Sequence, residues 1–324
     1  MSLALFSNTG LSSSWWRHRF LLQDREASFA VRGFRRAEPS LQHRLETIGK
    51  TFIAGYNIGL LSDEVAPALS SVASTEPDLR GFMAEGIAMG AAIADAITLG
   101  RRRLAAWIAA SDAHFTYLTH VGAGWALARV PYGRRAILSA LDPIHRWLAF
   151  DGLGFHDTYF FTRRVLSGWR RVRHGYEPMV YDQGIGRALW FVGGGELHWI
   201  AEQIGRLPLE RQTHLWSGVG LAICYAGGAR EKDLQDIRRL AGPFYADIGQ
   251  GAAFAAAAHF RARHVPPHTS QAVRMLTGLD AEEAATLVQA IRSGLPSQDT
   301  ASVPRYEMWR EGVRRSLPDT VGTP

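Results

Sequence analysis

The sequence predicts an all-α protein of helical-hairpin repeats of about 31–36 residues, forming an α-solenoid or an α/α toroid. Three observations carry that prediction. Glycine pairs recur as His120-Val121-Gly122-Ala123-Gly124, Asp151-Gly152-Leu153-Gly154, Asp182-Gln183-Gly184-Ile185-Gly186, Ser217-Gly218-Val219-Gly220 and Asp247-Ile248-Gly249-Gln250-Gly251. From Gly122 to Gly152, Gly184, Gly218 and Gly249 the steps are 30, 32, 34 and 31 residues, and looser copies at Gly86/Gly90 and Gly55/Gly59 extend the series upstream. Apolar residues between these marks recur at three- and four-residue steps, the period of a helix rather than a strand.

In chain order, residues 1–28 form an N-terminal arm, partly disordered, in which Ala27–Val31 suits a short strand or extended segment. The repeat domain spans 29–294. Leu45, Ile48, Phe52 and Ile53 mark its first helix, and Pro77 suits the first turn of another. A two-helix unit then repeats. Its short, arginine-rich first helix is expected at Arg101–Ala110, Arg134–Leu141, Arg163–Arg171, Glu196–Arg206 and Glu231–Leu240, and its longer second helix carries the glycine pair. Leu207-Pro208 turns one unit, Gly227-Gly228 closes it, and Pro266-Pro267 stops the next. Thr269–Thr277 and Asp280–Ser293 form a closing pair, with Asp280 and Glu283 spaced as a capping box. Residues 295–324 read as a linker, an exposed helix at Arg305–Arg314 and a tail.

Glycine inside an exposed helix costs roughly 0.8–1 kcal/mol relative to alanine. Pairs in five successive helices therefore imply a compensating gain, and close backbone approach between neighbouring helices supplies one.

Composition narrows the function. Hydrophobic residues are 47% and charged residues 20% of 324, a globular balance with ample length for a core. The net charge of +6 is carried almost wholly by arginine and comes without a basic cluster or nucleic-acid-binding motif, so no nucleic-acid partner is expected. Cys224 is the only cysteine, which excludes an intramolecular disulfide and cysteine-rich zinc. The N-terminus lacks the basic region of a secretory signal. The weakly polar runs Phe82–Leu99 and Gly249–Phe260 are rich in Ala and Gly and broken by Glu85, Asp95 or Gln250, which suits buried helices and no membrane span. A cytoplasmic location is the expectation.

A polar residue stands one or two positions ahead of every glycine pair except Gly55/Gly59: Glu85, His120, Asp151, Asp182, Ser217 and Asp247. Stacked repeats would bring these residues to a groove walled by Trp125, Phe155, Trp190, Phe191, Tyr225 and Phe254, suited to an extended apolar ligand. Candidate ligand-binding residues are Glu85, His120, Trp125, Phe155, Arg187, Trp190 and Asp247. Asp151, His156 and Asp182 are the acid–base candidates. The competing reading makes the acids buried, neutralised by arginines and structural, and offsets of one against two residues, ~100° apart on a helix, count against a single stripe. No metal motif, nucleophile elbow or phosphate loop occurs, so no metal or cofactor is expected.

Gly55-Tyr56-Asn57-Ile58-Gly59-Leu60, Glu85-Gly86-Ile87-Ala88-Met89-Gly90, the His120 to Ala126 string, Leu141-Asp142-Pro143, Asp151-Gly152-Leu153-Gly154-Phe155-His156, Asp182-Gln183-Gly184-Ile185-Gly186-Arg187 and Tyr225-Ala226-Gly227-Gly228 together resemble one bacterial family. This is the uncharacterised family labelled "enediyne biosynthesis protein", encoded within or near polyketide gene clusters of actinomycetes and other bacteria. The similarity covers roughly 29–294. It implies a natural-product setting and supplies no reaction. The function expected is an accessory protein that binds or modifies an apolar, polyene-like intermediate. The alternatives are a helical scaffold docking a polyketide synthase component or carrier protein, and a cofactor-free cyclase or isomerase.

Overall fold

The structure, a computed structural model, describes residues 15–98, 102–300 and 303–318, and among these it is all-α with no strand. Ahead of the first α-helix, 3-10 turns at Trp15–Phe20 and Asp24–Ala27 carry the chain. The helices are α1 (Phe29–Arg32), α2 (Pro39–Leu61), α3 (Val65–Ser74), α4 (Arg80–Thr98), α5 (Arg103–Arg129), α6 (Arg134–Ser139), α7 (Leu148–Leu166) and α8 (Glu177–Val192). They continue as α9 (Leu197–Gly205), α10 (Leu209–Ala226), α11 (Glu231–Ala241), α12 (Tyr245–Arg261), α13 (Pro267–Thr277), α14 (Ala281–Ser293) and α15 (Arg305–Ser316).

The glycine-bearing helices α2, α4, α5, α7, α8, α10 and α12 pack side by side in chain order, and the glycines set their register. Residues two apart lie ~200° apart around a helix, so the two glycines of a pair face different neighbours. Gly152 lies against the Val121 carbonyl of α5 and Gly154 against Tyr181 of α8; Gly184 lies against Asp151 of α7 and Gly186 against Leu215 of α10. Gly218 and Gly220 repeat the arrangement against Gln183 and Ile248. In each case an added Cβ would fall well under the 3.0 Å that real Cβ contacts respect. The four-residue spacing at Gly55/Gly59 and Gly86/Gly90 keeps both glycines on one side of the helix, and these two pairs face each other across α2 and α4.

The backward-facing glycine of α12 is Gly251, which lies against the Ser217 carbonyl, and not Gly249, which meets Leu317 and Leu276. Each backward-facing glycine touches the residue immediately before its counterpart in the preceding helix: Glu85, Val121, Asp151, Gln183 and Ser217 in turn. Those residues share one level of the fold. His120 and Asp182 stand one residue further from their glycines, and Asp247 stands three further from Gly251, so none of the three shares that level.

Three local expectations need correction, and a fourth forms with a different end. The Ala27–Val31 segment is not a strand: α1 makes one turn and stops at Gly33, whose φ of 68° is left-handed. Arg101–Ala110 falls in the first of two helices that α5 joins across a kink at Phe115, where φ is −128° and ψ 22°, so the expected short helix forms and runs on to that kink. Residue 101 itself lies outside the described residues. Arg163–Arg171 is helical only over its first residues: a kink at Phe161 sets them off from the rest of α7, which ends at Leu166, ahead of Gly168 with φ 94°. Finally, α15 is not exposed. It buries Tyr306, Trp309, Arg310 and Val313, and the Trp309 indole N–H donates to the Val288 carbonyl at 2.8 Å.

The N-terminal arm also docks, over the part described. The Leu22 backbone exchanges two hydrogen bonds with the Asn57 side chain, at 3.0 and 2.9 Å. The early helices meet the late ones as well: Arg44 of α2 donates to the Ala226 carbonyl at 2.5 Å, His264 pairs with Asp78 at 2.6 Å, and the Phe82 and Tyr225 rings stand 5.2 Å apart. Helix 77–98 has the length and hydropathy of a membrane span, but 78% of its apolar window is buried inside the fold.

Candidate functional site

An apolar cleft opens between α2, α4, α5, α7 and α8, with Leu22 and Glu26 of the arm at its side. It encloses about 690 Å³ of empty space including its mouth, little of it wide enough for a water-sized sphere to move in, so it is a slot rather than a chamber. Aromatic rings form its wall. Phe52 and Trp125 stand 4.5 Å apart, Trp125 and Phe155 5.2 Å, and Phe155 and Phe191 5.3 Å, while Tyr159 stacks on Phe155.

Glu85 and Arg187 are the charged groups deepest in that wall, both buried. The Trp125 indole N–H donates to Glu85 Oε1 at 3.1 Å. Among the described residues no cation is bonded to Glu85, and burial raises its pKa to about 7, with Arg187 opposing the rise and Asp151 adding to it. Arg187 donates one bond from Nη1 to Asp151, and its guanidinium lies 5.1 Å over the Phe155 ring. Burial works against the Arg187 charge, but Asp151 and Glu85 outweigh it and hold the guanidinium above its usual range. On the far side of Arg187 lies a second void of about 490 Å³, lined in part by Asp151, Gln183, Tyr225, Tyr306 and Trp309. The Gln183 amide donates to Asp151 Oδ2 at 2.9 Å, and its own Oε1 is buried with no hydrogen-bond partner among the described residues.

Of the expected ligand-binding residues, Glu85, Trp125, Phe155 and Arg187 come together in the cleft. The others are spent elsewhere. His120 makes a hydrogen bond from each ring nitrogen, to the Thr116 carbonyl at 2.6 Å and from the Asp142 N–H at 3.2 Å. The Trp190 indole donates to the Gly227 carbonyl at 3.2 Å, and Asp247 pairs with Arg314 at 2.7 Å.

The acid–base candidates are similarly occupied. Asp182 takes Arg211 at 3.0 and 2.7 Å and Arg170 at 3.1 Å. Burial holds the His156 pKa low; Nδ1 faces Asp157 at 3.1 Å while Nε2 accepts from Arg129 at 3.1 Å, which leaves neither nitrogen free. Asp151 is bound by Arg187 and Gln183.

Phe52, Tyr159, Phe160, Arg129 and Glu26 complete the cleft and were not singled out from sequence. Two of them carried a signal: Arg129 follows Trp125 by four residues and Tyr159 follows Phe155 by four, spacings that put each pair on one helix face. Cys224 is buried and its thiol is pushed up by burial, which keeps it inert. Among the described residues no three His, Cys, Asp or Glu side chains converge to hold a metal ion.

The sequence model of a family described as "Protein of unknown function (DUF1702)" matches residues 13–317. The chain belongs to that family. The DUF1702 match extends past both ends of the expected 29–294 repeat domain and takes in the arm, which borders the cleft, and α15, which borders the second void. Comparison with curated proteins and with solved structures gives no match.

Proposed function

We propose that this protein is an accessory factor of natural-product biosynthesis whose curled row of helices, an α-solenoid closing toward an α/α toroid, holds an apolar, polyene-like intermediate. One observation carries the reading: a thin slot walled by Phe52, Trp125, Phe155 and Phe191 that ends on a single carboxyl and guanidinium. Flat rings spaced 4.5–5.3 Å apart suit a conjugated chain, and the thinness of the slot excludes a bulky body. Charge limits the ligand further. Arg187 is offset by Asp151, so the floor is neutral when Glu85 is protonated and negative when it is not, which favours a neutral end group over an anionic one. The sequence resemblance to the enediyne-associated family supplies the biosynthetic setting.

A docking scaffold would need no open inner slot, and that favours the ligand reading over it. The test is titration of the purified protein with a linear C18 conjugated tetraene alcohol, followed by its fluorescence. Saturable binding near one molecule per chain is expected, and deletion of the gene should alter the polyene products of its cluster. Absence of binding together with an unchanged metabolite profile would overturn the reading.

A further inference from the structure

We infer that Glu85 is a catalytic acid–base that shifts a proton along an unsaturated carbonyl compound held in the cleft, with Arg187 binding the carbonyl oxygen. This rests on the ligand reading above and assigns the chemistry to a residue pair outside the Asp151, His156 and Asp182 set.

Availability singles these two out. The acids at Asp151, Asp157, Asp182 and Asp247 each have an arginine bound to them. Among the described residues Glu85 has one N–H donor, from Trp125, on one oxygen. Arg187 uses Nη1 for Asp151, while its remaining N–H groups take no acceptor among the described residues. Both side chains line the same slot, so a base and a hydrogen-bond donor fork face one apolar volume, the arrangement that proton abstraction beside a carbonyl requires. The charged and titratable groups around Glu85 are Arg187, Asp151 and Tyr225 from α8, α7 and α10, with Arg129, Tyr159 and Glu26 farther along the cleft.

The step balances without a cofactor. The Glu85 carboxylate takes a proton from the CH₂ between a carbonyl and an isolated double bond. The electron pair moves into a dienolate whose oxygen is held by Arg187. The protonated carboxyl then returns the proton at the γ-carbon, giving the conjugated ketone and restoring the carboxylate. Because burial brings Glu85 to about 7, both forms needed in the cycle are populated at neutral pH.

A straight-chain C12 β,γ-unsaturated methyl ketone is the probe. The unaltered protein is expected to convert it to the conjugated enone, read by ultraviolet absorbance. Glu85→Gln is isosteric with the protonated form and should lose at least ~100-fold in rate while still binding the tetraene alcohol. Glu85→Asp, which keeps a carboxylate, should recover part of that rate. Tetraene binding without enone formation, or a Glu85→Gln rate equal to that of the unaltered protein, would overturn this inference and leave the ligand reading standing. No tetraene binding at all would remove both.

Discussion

Glu85 is set apart among the buried acids by its partners. Asp151, Asp182 and Asp247 each neutralise an arginine, whereas Glu85 sits in an apolar slot with one indole N–H. Burial is the first cause of its rise from 4.5 to about 7. The folded protein therefore holds a proton there that the unfolded chain releases at lower pH. Its contribution favours folding below 4.5, declines as pH rises, and is lost above about 7. Glu85→Gln should remove that dependence, leaving stability unchanged at pH 4 and raising it by about 3 kcal/mol at pH 8, measured by urea unfolding at the two pH values. Asp151→Ala has the opposite character. It strands the buried Arg187 and should cost about 3–5 kcal/mol at neutral pH, read by the same method. Both residues were visible in the sequence as polar positions before glycine pairs. Their different roles were not, because the arginine of Asp151 lies one helix away, whereas among the described residues Glu85 has an indole N–H and no arginine bonded to it.

At the level of helices, the glycine pairs are register devices. The repeat itself was legible, since the spacing of Gly122, Gly152, Gly184 and Gly218 matches successive neighbouring helices. Which glycine faces which neighbour was not. The last copy is keyed by Gly251, and reading it from Gly249 displaced the polar position from Gln250 to Asp247. The prediction at this scale is a contrast. In Gly184→Ala the new methyl meets the Asp151 backbone carbonyl, which cannot rotate away, so about 3 kcal/mol or more should be lost. Gly205, in the last turn of α9, has nothing within 4 Å of an added Cβ, and Gly205→Ala should gain about 0.5 kcal/mol. Thermal melts of the two variants, shifted in opposite directions, would check the assignment. The short helices were harder to read than the glycine helices because their boundaries depend on tertiary contacts. The helix expected at Arg101–Ala110 runs on to the kink at Phe115, and the one expected at Arg163–Arg171 stops at Leu166, ahead of Gly168.

Across the whole molecule, the parts that looked peripheral complete the interior. The arm supplies Leu22 and Glu26 to the cleft, and α15 supplies Tyr306 and Trp309 to the second void, which shares Arg187 with the first as a lining residue. Composition could not announce this: the charged sequence of α15 hides a face of four buried side chains. Trp309→Ala should accordingly cost about 3–5 kcal/mol, a value that an exposed helix would not give in chemical denaturation. The central claim is that the slot ending at Glu85 and Arg187 is the ligand site. The most direct test compares tetraene alcohol binding by the unaltered protein with binding by Met89→Trp, which places bulk in the slot wall. The account predicts affinity weaker by at least ~10-fold, about 1.4 kcal/mol, in a variant that still melts cooperatively. Equal affinity would place the polyene elsewhere and contradict it.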